Sequence, residues 1–188
     1  MLYYLIAFCS IAGLGAHAQN PQLGSCPSIK FSRVDPYQMT GQWFDYGRSN
    51  DNPTNGETCG YDHWNPSVNG SSKLVLSAHS AYLGNYGDVV GDISFISDNS
   101  YIFSFEIPNV GLISVYHAIL EVDYNNFVIY YSCTNQGSSY TTSFWVKTRR
   151  PYPSFQVESM IRNSLGNHGL SYGRLTRISQ QNCYRSNY

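Results

Sequence analysis

Apolar and polar residues alternate in short runs along most of this chain. From Gln42 onward the runs are Gln42–Arg48, Gly60–Trp64, Lys73–Tyr82, Val89–Ile96, Tyr101–Ile107, Leu112–Glu121, Phe127–Cys133 and Thr141–Thr148, rich in Val, Ile, Tyr, Phe and Ser. Turn formers separate them: Asn65-Pro66, Asn69-Gly70, Asn85-Tyr86-Gly87, Ser97-Asp98-Asn99, Pro108-Asn109 and the stretch from Asp123 to Asn126. Runs of this length between turn residues predict β-strands. Many short strands in succession predict an antiparallel sandwich or barrel. Eight is the strand number of a barrel that holds one small ligand, although the count alone also fits a sandwich. The period changes once. Val157, Met160, Ile161 and Leu165 recur at i, i+3, i+4 and i+8, which predicts one helix, entered at Pro153 with Ser154 as N-cap and stopped at Gly166. The stretch from Tyr172 to Ile178 adds a short strand before Cys183, and the segment from Gln19 to Tyr37 reads as an irregular lead-in. No repeat or linker interrupts this pattern, so residues 19–188 form one domain.

Residues 1–18 read differently. Met1 to Gly15 is apolar without an acidic residue, and Leu5-Ile6-Ala7-Phe8 leads to Ala16-His17-Ala18, an A-x-A cleavage pattern. That predicts a secretory signal peptide and an extracellular protein. A membrane anchor is the rival, but the run falls short of the ~20 residues a span needs, and nothing later approaches that length. Cys9 belongs to the signal. Cys26, Cys59, Cys133 and Cys183 remain, an even number in a secreted chain, which predicts two disulfides among three connectivities. Spacing does not choose among them. A zinc site would call for close C-x-x-C pairs, which are missing. Asn69-Gly70-Ser71 is a glycosylation sequon at a turn.

Charge narrows the function classes. The formal net charge is -1, with 12% charged residues and no block of one sign. This argues against nucleic acid and against an electrostatic membrane patch. The 17 Tyr and 9 Phe need apolar surroundings, which a barrel offers both in a cavity and beneath its outer loops.

Three motifs stand in order along the chain: Gly41-Gln42-Trp43, then Asp123-Tyr124 ahead of a β-run, then Phe144-Trp145-Val146 running into Arg149. With the four cysteines they resemble the lipocalin family, secreted small-barrel carriers of hydrophobic molecules. The resemblance covers the mature chain. It is nearest to the arthropod pigment-binding branch (bilin-binding, insecticyanin-like and crustacyanin-like proteins), most of all in Glu121-Val122-Asp123-Tyr124-Asn125-Asn126-Phe127 and Tyr131-Ser132-Cys133. It implies an eight-stranded up-and-down antiparallel barrel with one C-terminal helix packed outside. It also implies the pairs Cys26–Cys133 and Cys59–Cys183, and a closed end built from Gly41, Trp43, Asp123, Tyr124 and Arg149. The guanidinium would stack on the Trp43 indole, with Arg150 as the alternative stacking residue.

For the ligand, the resemblance implies biliverdin or a carotenoid, held without a covalent bond. The expected contacts are Asp45, Tyr61, His63, Phe105, His117, Phe127, Ile129, Tyr131 and Trp145. Alternation from Trp43 places Asp45 inward, where a carboxylate needs donors such as bilin pyrrole N–H groups. A bulge that turns it outward, or an Arg partner, are the alternatives. Alternation separates Phe127, Ile129 and Tyr131 from Val128 and Tyr130 without saying which set faces inward; the first is taken into the contact set. Ile113, Val115, His117 and Ile119 are more apolar than Leu112, Ser114, Tyr116 and Ala118 and are expected inside. The histidines have no i, i+2 spacing suited to a metal. No G-x-S-x-G motif occurs, and the mature cysteines are expected in disulfides, so an enzyme is not expected; His-based redox or haem chemistry stays open. The rival readings are a colourless lipid carrier and a secreted interaction or defence protein with a filled barrel. A carotenoid usually needs two chains to cover it, which leaves a homo- or hetero-oligomer open.

Overall fold

The computed structural model describes residues 21–49, 57–66, 72–80 and 84–183. The expected signal segment and the Asn69 sequon lie outside the described residues. A two-residue strand β1 (Gln22–Leu23) and a helical turn α1 (Pro36–Met39) precede the main strands. These are β2 (Gly41–Ser49), β3 (Glu57–Trp64), β4 (Ser72–Ser80) and β5 (Asn85–Ser97), then β6 (Ser100–Ile107), β7 (Gly111–Asp123), β8 (Phe127–Gln136) and β9 (Ser139–Thr148). Each pairs antiparallel with the next, and β9 returns to β2, so eight strands close an up-and-down barrel. Closure leaves these strands no free edge. Helix α2 (Phe155–Asn167) and a short strand β10 (Leu175–Arg177) follow, β10 pairing with β2. Over the described residues the predicted strands all form; β5 starts earlier, taking in Asn85-Tyr86-Gly87, which pair with Ser80, His79 and Ala78 of β4 rather than turning.

The wall is apolar on both sides over much of its area. Inside lie Trp43, Trp64, Leu74, Ile93, Tyr101, Phe103, Ile119, Val128 and Tyr130. Outside, beneath α2, lie Phe127, Ile129, Tyr131, Phe144 and Val146, covered by Ile161 and Leu165. The helix docks because its i, i+4 pair Ile161 and Leu165 is fully buried, a gain of roughly 1.5–3 kcal/mol per side chain. Met160, expected on that face, is 40% exposed. Ser164 takes its place, donating from its hydroxyl to Glu121 Oε2 at 2.5 Å. Ser154 caps the helix as expected, accepting from Val157 N–H. Gly166 does not end it. The stop is Gly169 at φ +72°, and Leu170 N–H returns to Leu165 O at 2.8 Å, because the left-handed turn needs a residue without a Cβ.

Two disulfides tie the ends to the barrel. Cys26 bonds to Cys133 on β8, and Cys59 on β3 bonds to Cys183, the pairing the resemblance implies. Among the described residues no helix is long and apolar enough to cross a membrane.

Candidate functional site

The closed end is a structural plug. Trp43 is fully buried, and its indole N–H donates to Met39 O at 2.8 Å. Arg149 Cζ sits 3.7 Å from the centre of the Trp43 ring. Its nitrogens donate to Gln38 O, Thr40 O, Gln42 O and Tyr124 O. Gly41, at φ +96°, would place a Cβ 3.4 Å from Arg149, so the glycine of Gly-x-Trp serves both the backbone turn and the guanidinium. Asp123 accepts from Asn125 N–H and Asn126 Nδ2, which closes the β7–β8 turn, and the Tyr124 hydroxyl accepts from Asp35 N–H at 2.7 Å. A depression of about 430 Å³ lies outside this floor, lined by Gln38, Tyr124, Asn125 and Arg149. The Arg149 donors there are committed to backbone carbonyls, which leaves it no recognition chemistry.

The opposite end is a cup. Inward residues nearer the mouth, Leu76, Val89, Ile107, Ile113 and Val115, keep partial exposure while those near the floor are fully buried. Inside a closed wall, solvent reaches such side chains only through the mouth. The aromatic wall lies between. His117 stacks on Tyr101 at 5.0 Å and 13°, stands edge-on to Tyr130 at 5.9 Å and faces Trp145 at 6.5 Å. Tyr101 in turn meets Trp64 edge-on at 5.2 Å.

A charge cluster is set into this wall. Lys147 Nζ lies 2.6 Å from Asp45 Oδ1 and 2.5 Å from Asp62 Oδ1. Arg48 approaches Asp45 at 3.6 Å and Glu57 at 3.1 Å. Two irregularities make room for it. β2 bulges between Asp45 and Gly47, and β3 between Thr58 and Tyr61, where Cys59 adopts φ +57°. Bulges re-aim side chains and leave carbonyls unpaired. Here the Gln180 amide donates to both freed carbonyls, Asp45 O at 3.0 Å and Gly60 O at 2.8 Å. Gly60 has to be glycine, since a Cβ would lie 2.1 Å from Asp45 Oδ2.

Burial and neighbours set the protonation states. Burial pushes the Asp62 carboxyl up to about 6, with Asp45 adding to the rise against the pull of Lys147. Burial acts on Asp45 in the same sense, but Lys147 and Arg48 outweigh it and hold Asp45 below its ordinary value. Burial would lower the Lys147 ammonium, yet the two carboxylates raise it on balance. Burial, and then the Lys147 cation, bring His117 down to about 4. At neutral pH the cup therefore presents a neutral imidazole beside a fully charged Asp45–Lys147 pair.

Of the expected contact residues, Asp45, Phe105, His117 and Trp145 face inward. Tyr61, His63, Phe127, Ile129 and Tyr131 do not. Asp62 and Trp64 take the inward positions of β3, so period two sends Tyr61 out to pack on Phe44 and leaves His63 exposed. Val128 and Tyr130 are the inward pair of β8, and Phe127, Ile129 and Tyr131 form the bed of α2. Asp62, Lys147, Arg48, Trp64, Tyr101 and Tyr130 were not among the expected contacts. Register could have found two of them, since Asp45 opposes Lys147 and Trp43 opposes Asp62 across neighbouring strands.

No protein-family model matches the chain. Mouse apolipoprotein D is 26% identical over 188 residues, covering 97% of this chain and 98% of its own. Insecticyanin from the tobacco hornworm Manduca sexta superimposes with a TM-score of 0.77 at 16% identity, over 86% of this chain and 89% of that one. Lobster apocrustacyanin A1 gives 0.65 at 20% identity, over 87% and 93%. The amine binding protein of Rhodnius prolixus, solved as its tryptamine complex, gives 0.64 at 15% identity, over 82% and 86%. With a closed eight-stranded barrel, a helix packed outside it and an Arg149–Trp43 floor, this chain has the lipocalin fold, shared with insecticyanin and the crustacyanins.

Proposed function

We propose that this chain is a lipocalin in function as well as fold, a secreted carrier holding one flat, conjugated hydrophobic molecule in its cup, a biliverdin-type bilin ahead of a carotenoid. One observation carries the reading: an aromatic wall of His117, Tyr101, Tyr130 and Trp145 surrounds two buried carboxylates, Asp45 and Asp62. Rings stack on flat π systems, and carboxylates in a dry site accept from N–H donors. A bilin brings a row of such donors and one chain can enclose it. A carotenoid has none to offer and exceeds one cup. Residues 1–18 and the two disulfides support secretion, with a glycan proposed at Asn69. A colourless lipid is the second reading, favoured by the aliphatic rim of Leu76, Val89, Ile113 and Val115. Protein purified from its source distinguishes them. A visible absorbance band and a tetrapyrrole in the mass spectrum of the extract support the bilin, and a colourless fatty acid or sterol overturns it.

A further inference from the structure

The charge cluster in the cup does not balance. Among the described residues it holds three carboxylates, Asp45, Glu57 and Asp62, and two cations, Arg48 and Lys147. Three negative charges against two positive leave one negative charge inside the barrel wall. Lys147 is shared between Asp45 and Asp62, so neither carboxylate has an ammonium to itself. Asp62 is only 4% exposed and Lys147 12%, so bulk solvent does little to neutralise the excess.

A second observation points to the same spot. The Tyr130 hydroxyl and the Trp64 indole N–H are buried beside one another on the inner wall, near Tyr101, yet neither reaches good hydrogen-bond geometry with a neighbour. Tyr130 lies within electrostatic reach of Asp62. A dry hydroxyl whose hydrogen bonds are poorly aligned is unfavourable, and a ligand that donates to it squarely relieves the penalty. Around it stand Tyr101, His117 and Trp145, and aromatic faces attract cations most strongly where water is excluded.

We infer that the cup selects ligands bringing one protonated nitrogen, an ammonium or a protonated N-heterocycle on an aromatic body, to Asp45 and Asp62 beside Lys147. This rests on the carrier reading and adds the charge of the ligand to it. A monocation neutralises the cluster and donates to Asp62 and to the Tyr130 hydroxyl. A neutral molecule of the same shape leaves the charge unmet, and an anion adds to it. An aromatic amine meets the requirement outright; a bilin meets it only where a protonated ring nitrogen reaches the cluster and its two propionates stay outside the cup.

The pH dependence follows. Among the described residues, the titratable and charged groups facing the cup are Asp45, Arg48, Glu57, Asp62, Tyr101, His117, Tyr130 and Lys147. Asp62, at about 6, gains its charge as pH rises through that value, while His117, down at about 4, stays neutral and Lys147 stays cationic. A cationic ligand therefore binds more tightly above about pH 6 than below it.

The test uses three indoles of nearly one shape, tryptamine (cation), tryptophol (neutral) and indoleacetate (anion), with biliverdin as reference, titrated calorimetrically into the mature protein. Tryptamine should bind about tenfold or more tighter than tryptophol, as expected for a hydrogen bond to a charged group, and indoleacetate most weakly. D62N should bring tryptamine down to the level that the same variant shows for tryptophol, with folding checked by circular dichroism. Should D62N fail to fold, K147M gives the second readout. It leaves two carboxylates without their ammonium, so tryptamine should raise its melting temperature more than that of wild type. Equal or weaker binding of tryptamine than of tryptophol, or tryptamine affinity untouched in D62N, overturns the inference. Biliverdin binding without any preference for the cation overturns it while sparing the carrier reading. If neither biliverdin nor any indole binds, both fail.

Discussion

Arg149 lies over Trp43 at 3.7 Å and at the same time hydrogen-bonds the carbonyls of Gln38, Thr40, Gln42 and Tyr124. One planar cation thus joins the segment before β2, the β7–β8 turn and the end of β9. Lysine cannot copy this, because it has neither the fork nor the flat face. Trp43→Ala should destabilise by about 3–5 kcal/mol and Arg149→Ala by about 2–3 kcal/mol. Arg150→Ala, at an exposed neighbour, should stay within about 0.5 kcal/mol. Denaturant titration of the three variants checks the assignment; an Arg150 effect as large as that of Arg149 would transfer the stacking role.

The two sides of the barrel wall should respond separately to truncation. Ile129 is fully buried beneath α2, whereas Trp145 faces the cup. Ile129→Ala should cost about 2–5 kcal/mol in stability with ligand affinity unchanged. Trp145→Ala should weaken binding of a conjugated ligand by about tenfold, since ring contacts of this kind contribute roughly 0.5–1.5 kcal/mol each. Paired melting and binding curves read both effects. Ligand affinity that follows Ile129 rather than Trp145 would invert the assigned faces.

Asp62 and His117 act on stability in opposite directions over the same pH range. The Asp62 carboxyl is raised from 3.8 to about 6, so the folded state binds more protons and stability falls as pH rises from about 4 to about 6. His117 is lowered from 6.5 to about 4, so the unfolded state binds more protons and stability rises over that range. Each amounts to about 3 kcal/mol. Wild type should show a nearly flat profile there. H117Q should lose stability as pH rises, and D62N should gain it. Melting temperatures at intervals across the range test this, and a sloping wild-type profile with flat variants would contradict it.

Gly60 and Asp45 form a packed pair across the two bulges, with 2.1 Å between a Cβ at position 60 and Asp45 Oδ2. Gly60→Ala should therefore cost about 1–3 kcal/mol, and less in an Asp45→Ala background, because the clash disappears with the carboxylate. A double-mutant cycle measures this coupling. Additive effects would mean that the two residues do not share the space.

Much of the fold was legible in the chain because period two, turn chemistry and the Gly41–Trp43 and Arg149 motifs agree with one another. The inward face of β7 was legible too, since Leu112 and Tyr116 point to solvent, 71% and 51% exposed. On β8 the same reasoning had no purchase. Helix α2 covers the outside, so both faces of that strand are apolar, and hydrophobicity cannot tell the Phe127, Ile129 and Tyr131 side from the Val128 and Tyr130 side. On β3 the bulge at Thr58–Tyr61 resets the alternation. Lys147 was overlooked for a related reason. A lysine one strand turn from the floor looks like a surface charge until its register with Asp45 is known.

The central claim, that the cup holds one flat conjugated ligand against His117, Tyr130 and Trp145, is tested most directly by titrating ligand-free protein with biliverdin while following visible absorbance and tryptophan fluorescence together. The account predicts a shifted visible band and quenching that both saturate at about one equivalent, because the proposed ligand lies beside Trp145 and Trp64 and each barrel has one such inner wall. No spectral change with biliverdin or with a keto-carotenoid, together with tight binding of a fatty acid, would contradict it.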